Sequence, residues 1–253
     1  MAQTARNLPQ GIQENGKEIR IFMPRYGCIN ERRHQLHEVI RLSGMNLIID
    51  DADHPLIIKV ASIQPARMQV YFIDNEEYFK RKAVLKDGDG KLFKDNDERS
   101  IFFCRGVIET VKKLGWSPDI VHCHGWMTAL MPLYLKKVYG DDPIFADTKV
   151  VYSAYNDGFD AKLNKRFNEK AQFDAVNGDD VALLNTPNYV NLSKLGIANA
   201  DAVIIGEDNL NKEIQAEIDS LDKPVLAKQS EEDYIEAYSN FYDEILENAS
   251  ALV

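Results

Sequence analysis

Long apolar runs, paired cysteines and flexible low-complexity tracts are all missing from this 253-residue sequence. No run approaches the roughly 18 apolar residues that cross a bilayer. The opening MAQTARNLPQGIQENG lacks the basic-then-apolar layout of a secretory leader. A cytoplasmic protein with no membrane partner is the expectation. The three cysteines, Cys28, Cys104 and Cys123, are odd in number and widely spaced, which suits neither a disulfide framework nor a four-ligand zinc site. They read as reduced, mostly buried thiols. Walker, GxGxxG, GxSxG, HExxH and paired CxxC motifs are absent too, so the residues imply neither a metal nor a cofactor.

What is present is a globular composition, 45% hydrophobic and 28% charged. The net charge of −10 is unevenly placed. Residues 201–253 carry 14 Asp/Glu against 3 Lys, a net of −11, which leaves +1 for the rest. An acidic end of this kind argues against a nucleic-acid partner and reads most simply as the solvated face of surface helices. Without repeats or linkers, one domain over 1–253 is expected, with a terminal helix at 229–248 docked on it.

Strand-like and helix-like segments alternate along the chain. Residues 3–15 read as a helix ending near Gly16, and Glu18–Pro24 as a buried strand stopped by proline. From 36 to 74 the pattern turns β-rich (HEVIRL, MNLIID, LIIKVAS, MQVYFID). Breaks at Ser43-Gly44, Asp53-His54-Pro55 and Gln64-Pro65 predict an inserted set of hairpins. A short helix over 75–82, a tight loop at 87–90 and a long helix over 97–114 follow. Strands at 119–124, 149–154, 202–206 and 223–227, with a helix at 126–139 between the first two, give the βαβ signature of a doubly wound, mostly parallel Rossmann-like α/β sheet. Ser230-Glu231-Glu232-Asp233 is a capping-box pattern, opening a helix with Tyr234, Tyr238, Phe241, Tyr242 and Ile245 on one stripe.

Four segments, MPRYG (23–27), VYFIDNEEYFKR (70–81), DNDERSIFFCR (95–105) and LGWSPDIVHCHGWMTAL (114–130), resemble the glycogen/starch synthase family, in this order. KVVYSAYND (149–157) and LSKLGIANADAVI (192–204) are weaker echoes, and the resemblance runs from about 6 to 215. The family transfers glucose from a nucleotide sugar to a glucan and folds as two Rossmann-like domains facing across a cleft, the GT-B arrangement. The resemblance therefore implies an amino-terminal GT-B domain whose ligands lie beyond the carboxyl ends of its strands. His124, Trp126, Tyr155 and Asn156 would face the sugar, and Asp74 and Tyr78, with Asp95, Glu98 and Arg99, would line the cleft. No catalytic residue is assigned.

Two departures bear on activity. Where the family reads H-D-W-H, this sequence has His124-Gly125-Trp126-Met127; where the family has T-x-H-N, it has Ser153-Ala154-Tyr155-Asn156. The K-x-G-G-L loop and the second domain lie outside the 253 residues. The expectation is a member that is catalytically incomplete alone and acts as a glucan-binding or regulatory domain. Two alternatives remain: an active ADP- or UDP-glucose-dependent glucosyltransferase completed by a partner chain or further segments, and a structural protein that self-associates. The partners implied are α-glucan or nucleotide sugar, with a homodimer or partner protein through the cleft or the aromatic terminal helix. His122 and His124 are expected to face opposite sides of their strand, weighing against a shared metal. Arg32-Arg33-His34 with His37 reads as a solvated basic loop.

Overall fold

The computed structural model describes residues 1–63 and 68–250, so the expected break at Gln64-Pro65 lies outside the described residues. Helix α1 (Ala2–Glu14) leads through Gly16, at φ +85°, into strand β1 (Ile21–Pro24). The β-rich stretch then gives β2 (His37–Glu38), β3 (Met45–Ile49), β4 (Ala52–Ile63) and β5 (Met68–Asp74). Strand β4 pairs antiparallel with β2, β3 and β5, and β5 pairs parallel with β1, Ile21 opposite Val70.

Two details differ from the sequence expectation. The β3–β4 turn falls at Asp50-Asp51, both left-handed at φ +51° and +61°, a conformation that aspartate tolerates better than most residues. Asp53-His54-Pro55 therefore lies inside β4, where buried His54 alternates inward. HEVIRL contributes only two paired residues. The chain then turns so that Ser43 Oγ accepts from Ile58 N at 3.0 Å and Leu42 drops into the core, leaving Ile40 83% exposed.

Helix α2 (Glu76–Phe79) is capped by Asn75, whose side chain accepts from the backbone of Glu77 and Tyr78. Helix α3 (Asn96–Leu114) ends on left-handed Gly115 at φ +61°. It approaches the sheet so closely at Gly106 that a Cβ there would lie 2.9 Å from Ile73 and 3.1 Å from Leu56.

The second sheet is wholly parallel. Strands β6 (Ile120–His124), β7 (Lys149–Ala154), β8 (Ala202–Ile205) and β9 (Val225–Leu226) follow in spatial order. Helices α4 (Met131–Lys137), α5 (Phe167–Ala171), α6 (Tyr189–Asn199) and α7 (Lys212–Ser220) connect them. The helix expected over 126–139 is broken into a 3-10 turn at Trp126–Thr128 and α4, because Pro132 fits only the first turn of a new helix.

Strands β1 and β6 are each at a sheet edge and do not pair with one another, so the α/β architecture is carried on two sheets rather than one. One apolar cluster spans both, from Leu56 and Ile73 through Phe102 to Cys123, Tyr152 and Val203. A second forms where α8 (Tyr234–Ser250) and α1 cover the opposite face of the parallel sheet. Tyr238, Phe241, Tyr242 and Ile245 pack there with Leu8 and Ile12 on Val151, Ala202 and Ile204. Ser230 Oγ accepts from Asp233 N at 3.1 Å, the capping bond expected at the start of α8. Cys28 is exposed while Cys104 and Cys123 are buried, all three as free thiols. No helix among the described residues is long and apolar enough to cross a membrane.

Candidate functional site

Three parallel strands end side by side at His124, Ala154 and Ile205, each passing into a loop at its carboxyl end. Open parallel sheets place ligands at such a rim, where backbone groups leave the ladder and side chains from neighbouring strands converge. His124 Nδ1 and the Tyr155 hydroxyl form a hydrogen bond of 2.9 Å across adjacent strands, their rings near-parallel at 6.0 Å.

Gly125 follows His124 at φ +73°, ψ −179°, a conformation open essentially to glycine alone. Asp157 crosses the corner beneath it: its Oδ2 accepts from Trp126 N at 3.4 Å and lies 2.2 Å from where a Cβ on Gly125 would stand. Burial raises the Asp157 carboxyl to about 6, with the Trp126 backbone bond pulling the other way. Asp157 thus fills the space that a side chain at position 125 would need. Asp157 closes the KVVYSAYND segment but was given no role from the sequence; its place just after the Tyr155-Asn156 strand end was the available signal.

Asn156 is exposed and ties two loops together, donating to Asn209 O and accepting from Asn211 N, both at 3.2 Å. Tyr189 fixes the backbone from the other side by donating to Tyr155 O. Behind the rim, the His122 and His124 rings lie against each other, tilted by 32° with centroids 4.0 Å apart. This corrects the expectation that they face opposite sides: residues two apart on a strand share a face. His122 is held between the Tyr242 hydroxyl at 2.6 Å from Nδ1 and the Ser153 hydroxyl at 2.7 Å from Nε2. A neutral ring satisfies that pair of bonds in either tautomer by donating with one nitrogen and accepting with the other. Burial lowers both imidazoles, His124 to about 4, and His122 is lowered further by the neighbouring ring. No group of three or more metal-ligating side chains occurs among the described residues.

The other candidates lie elsewhere or are closed to solvent. Trp126 is 1% exposed, its indole edge-on to Phe159 at 5.0 Å, and Tyr155 is 2% exposed against Gly206. Asp74, at the end of β5, is buried against Arg25 Nε at 2.9 Å and Lys59 Nζ at 3.0 Å. The Tyr78 hydroxyl donates to Glu98 at 3.0 Å and meets His54 Nε2 at 2.9 Å. Asp95 pairs bidentately with Arg81, and Lys170 bridges Asp97 and Glu98. Arg99 is fully buried among the rings of Tyr26, Phe79 and Phe93, hydrogen-bonded to Asn96 at 2.6 Å, with Nε and Nη2 unpartnered among the described residues. Asp74, Tyr78, Asp97 and Arg99 thus sit among internal hydrogen bonds and ion pairs. Arg32, Arg33, His34 and His37 are exposed.

A parallel α/β sheet, helices on both its faces and a rim of strand ends closed by a glycine corner define a Rossmann-like α/β domain. A family model described as the starch synthase catalytic domain matches residues 1–224, and the chain belongs to the glycogen/starch synthase family. A glycogen synthase of Chlorobium luteolum is 40% identical over 196 residues, 77% of this chain and 40% of that protein. One of Chlorobaculum tepidum is 37% identical over 228 residues, covering 87% and 44%. In fold, the chain is similar to the catalytic domain of starch synthase IV from Arabidopsis thaliana, solved with ADP and acarbose. The TM-score is 0.71 at 16% identity, over 90% of this chain and 47% of that one. The chain spans less than half the length of these relatives.

Proposed function

We propose that this chain handles α-glucan at the carboxyl-end rim of β6, β7 and β8, binding the saccharide without turning over a nucleotide sugar when alone. The observation that carries the reading is the His124–Tyr155 bond between neighbouring strand ends, with Asn156 exposed beside it. A glucan chain needs a few fixed polar groups next to a surface that excludes water, and such a rim offers both. Glucosyl transfer also needs donors aimed at the charge developing on the leaving diphosphate. At this rim the polar groups are committed to one another: His124 to Tyr155, Asn156 to two backbone groups of the β8–α7 loop, Asp157 to Trp126. That internal satisfaction supports a rim that does not carry out the transfer alone, and exposed Asn156 is the group placed to meet a saccharide.

Titration calorimetry with maltooligosaccharides, and separately with ADP-glucose and UDP-glucose, tests the proposal, the same samples being assayed for released nucleoside diphosphate. Saccharide binding without release is expected. Release above background would replace this reading with an active glucosyltransferase, and no binding to any of these ligands would sink both.

A further inference from the structure

Beside the rim lies an open cleft of about 630 Å³, between the 86–94 hairpin and residues 159–164. Four exposed lysines line it, Lys86, Lys91 and Lys94 from one wall and Lys162 from the other, against one lining carboxylate, Asp160. Among the described residues, none of the four forms an ion pair. Asp87, at the hairpin tip, turns Oδ1 inward to accept from the backbone of Asp89 and Lys91.

Four ammonium groups against one lining carboxylate make the cleft locally cationic. Like charges around one cleft raise each other's energy, and an anion seated among them relieves it. The apolar part of the lining comes from Leu92, Leu163 and two half-buried rings, Phe93 and Phe159. Phe93 is backed by the guanidinium of Arg81 at 4.1 Å, itself paired with Asp95, and by that of Arg99 at 5.3 Å. Phe159 packs on Trp126, which joins this cleft to the strand-end rim.

We propose that the cleft is a second ligand site, taking the phosphoryl group of a phosphorylated sugar among its four lysines and the sugar ring against Phe93 and Phe159. The sugar half of this assignment rests on the glucan reading above; the anion half does not. The phosphoryl group could belong to a free sugar phosphate or to a phosphorylated glucan chain.

Calorimetry with glucose 6-phosphate, a phosphorylated maltooligosaccharide, glucose and inorganic phosphate, at low and high salt, reads the site directly. A phosphorylated sugar is expected to bind at least about tenfold more tightly than glucose and to weaken with salt. Binding of only the phosphorylated maltooligosaccharide assigns the glucan chain as the source; equal binding of glucose 6-phosphate assigns a free metabolite. The K91Q/K94Q variant, altered only at exposed side chains, should lose roughly tenfold or more in that affinity while binding plain maltooligosaccharide as before. No binding of either phosphorylated probe, or binding unchanged in the variant, overturns the proposal. Inorganic phosphate bound as tightly as the sugar phosphates overturns its sugar half. Loss of plain maltooligosaccharide binding with sugar-phosphate binding intact would count against the glucan reading alone.

Discussion

Asp157 Oδ2 lies 2.2 Å from where a Cβ on Gly125 would stand, so the two residues share a single space at the end of β6. Only one of them can carry a side chain there. The carboxylate at this corner comes from the end of the neighbouring strand. The backbone at Gly125, φ +73° with ψ −179°, enforces the same choice independently of the contact.

Placing an acid at position 125 by G125D should therefore destabilise the protein by at least about 2 kcal/mol, through backbone strain and a carboxylate forced onto Asp157. Urea unfolding measures this, and a midpoint equal to that of the native sequence would show that the corner is not built as described. The double variant G125D/D157G should recover only the part due to the contact, because the φ strain remains.

Tyr242→Phe removes the hydroxyl that pairs with His122 Nδ1, leaving a buried ring nitrogen unsatisfied. A loss of about 1–2 kcal/mol is expected. The loss should appear in hydrogen exchange as reduced protection along α8, since Tyr242 is among the residues that dock the helix. Uniform loss across both sheets, with no bias to α8, would contradict that local role.

His122 and His124 are held below the ordinary imidazole range, His124 at about 4, by burial first and by mutual proximity for His122. The unfolded chain therefore binds these protons more tightly. The stability they contribute is fully present above about pH 6.5 and is lost as pH falls from there toward the folded value. Asp157 acts in the opposite sense: with its carboxyl raised to about 6, the folded state gains relative stability as pH falls from about 6 toward the ordinary aspartate value near 4. D157N removes that opposing contribution, so its stability should fall more steeply on acidification than that of the native sequence. Parallel pH–stability curves for the two proteins would rule the assignment out. In imidazole proton spectra, both rings should still be neutral at about pH 6.

Trp126 is a core residue in this fold, at 1% exposure. Trp126→Ala should cost about 3–5 kcal/mol. Trp126→Phe should keep most of the packing against Phe159, and saccharide affinity should then follow the folded fraction alone. A folded W126F protein with maltooligosaccharide affinity reduced more than about tenfold would instead show the indole to be a sugar contact.

The periodicity of the sequence determined most of the element list. α1, α3, the β6–β9 strands and the aromatic stripe of α8 were legible because apolar spacing is a local property that burial then rewards. The family was legible for a related reason, since runs such as DIVHCHGWMTAL keep residue order at fixed spacing. What failed locally did so where a single backbone dihedral decided the matter. The β3–β4 turn went to Asp50-Asp51, and Pro132 restarted a helix that the apolar pattern would have continued.

The site depended on tertiary placement. His124 and Tyr155 are 31 residues apart, and His122 and Tyr242 are 120 apart. No local pattern marks such a pair. That Trp126, Tyr155, Asp74 and Tyr78 are buried, that Asp157 occupies the space of a missing side chain at 125, and that four lysines from two loops share one cleft were all decided by the packing of the strands and loops. Sequence fixes which groups are available and which face of an element they occupy, because those follow from bond geometry. Which groups meet, and which of them still face solvent, follows only once the strands are aligned and their loops have closed on one another.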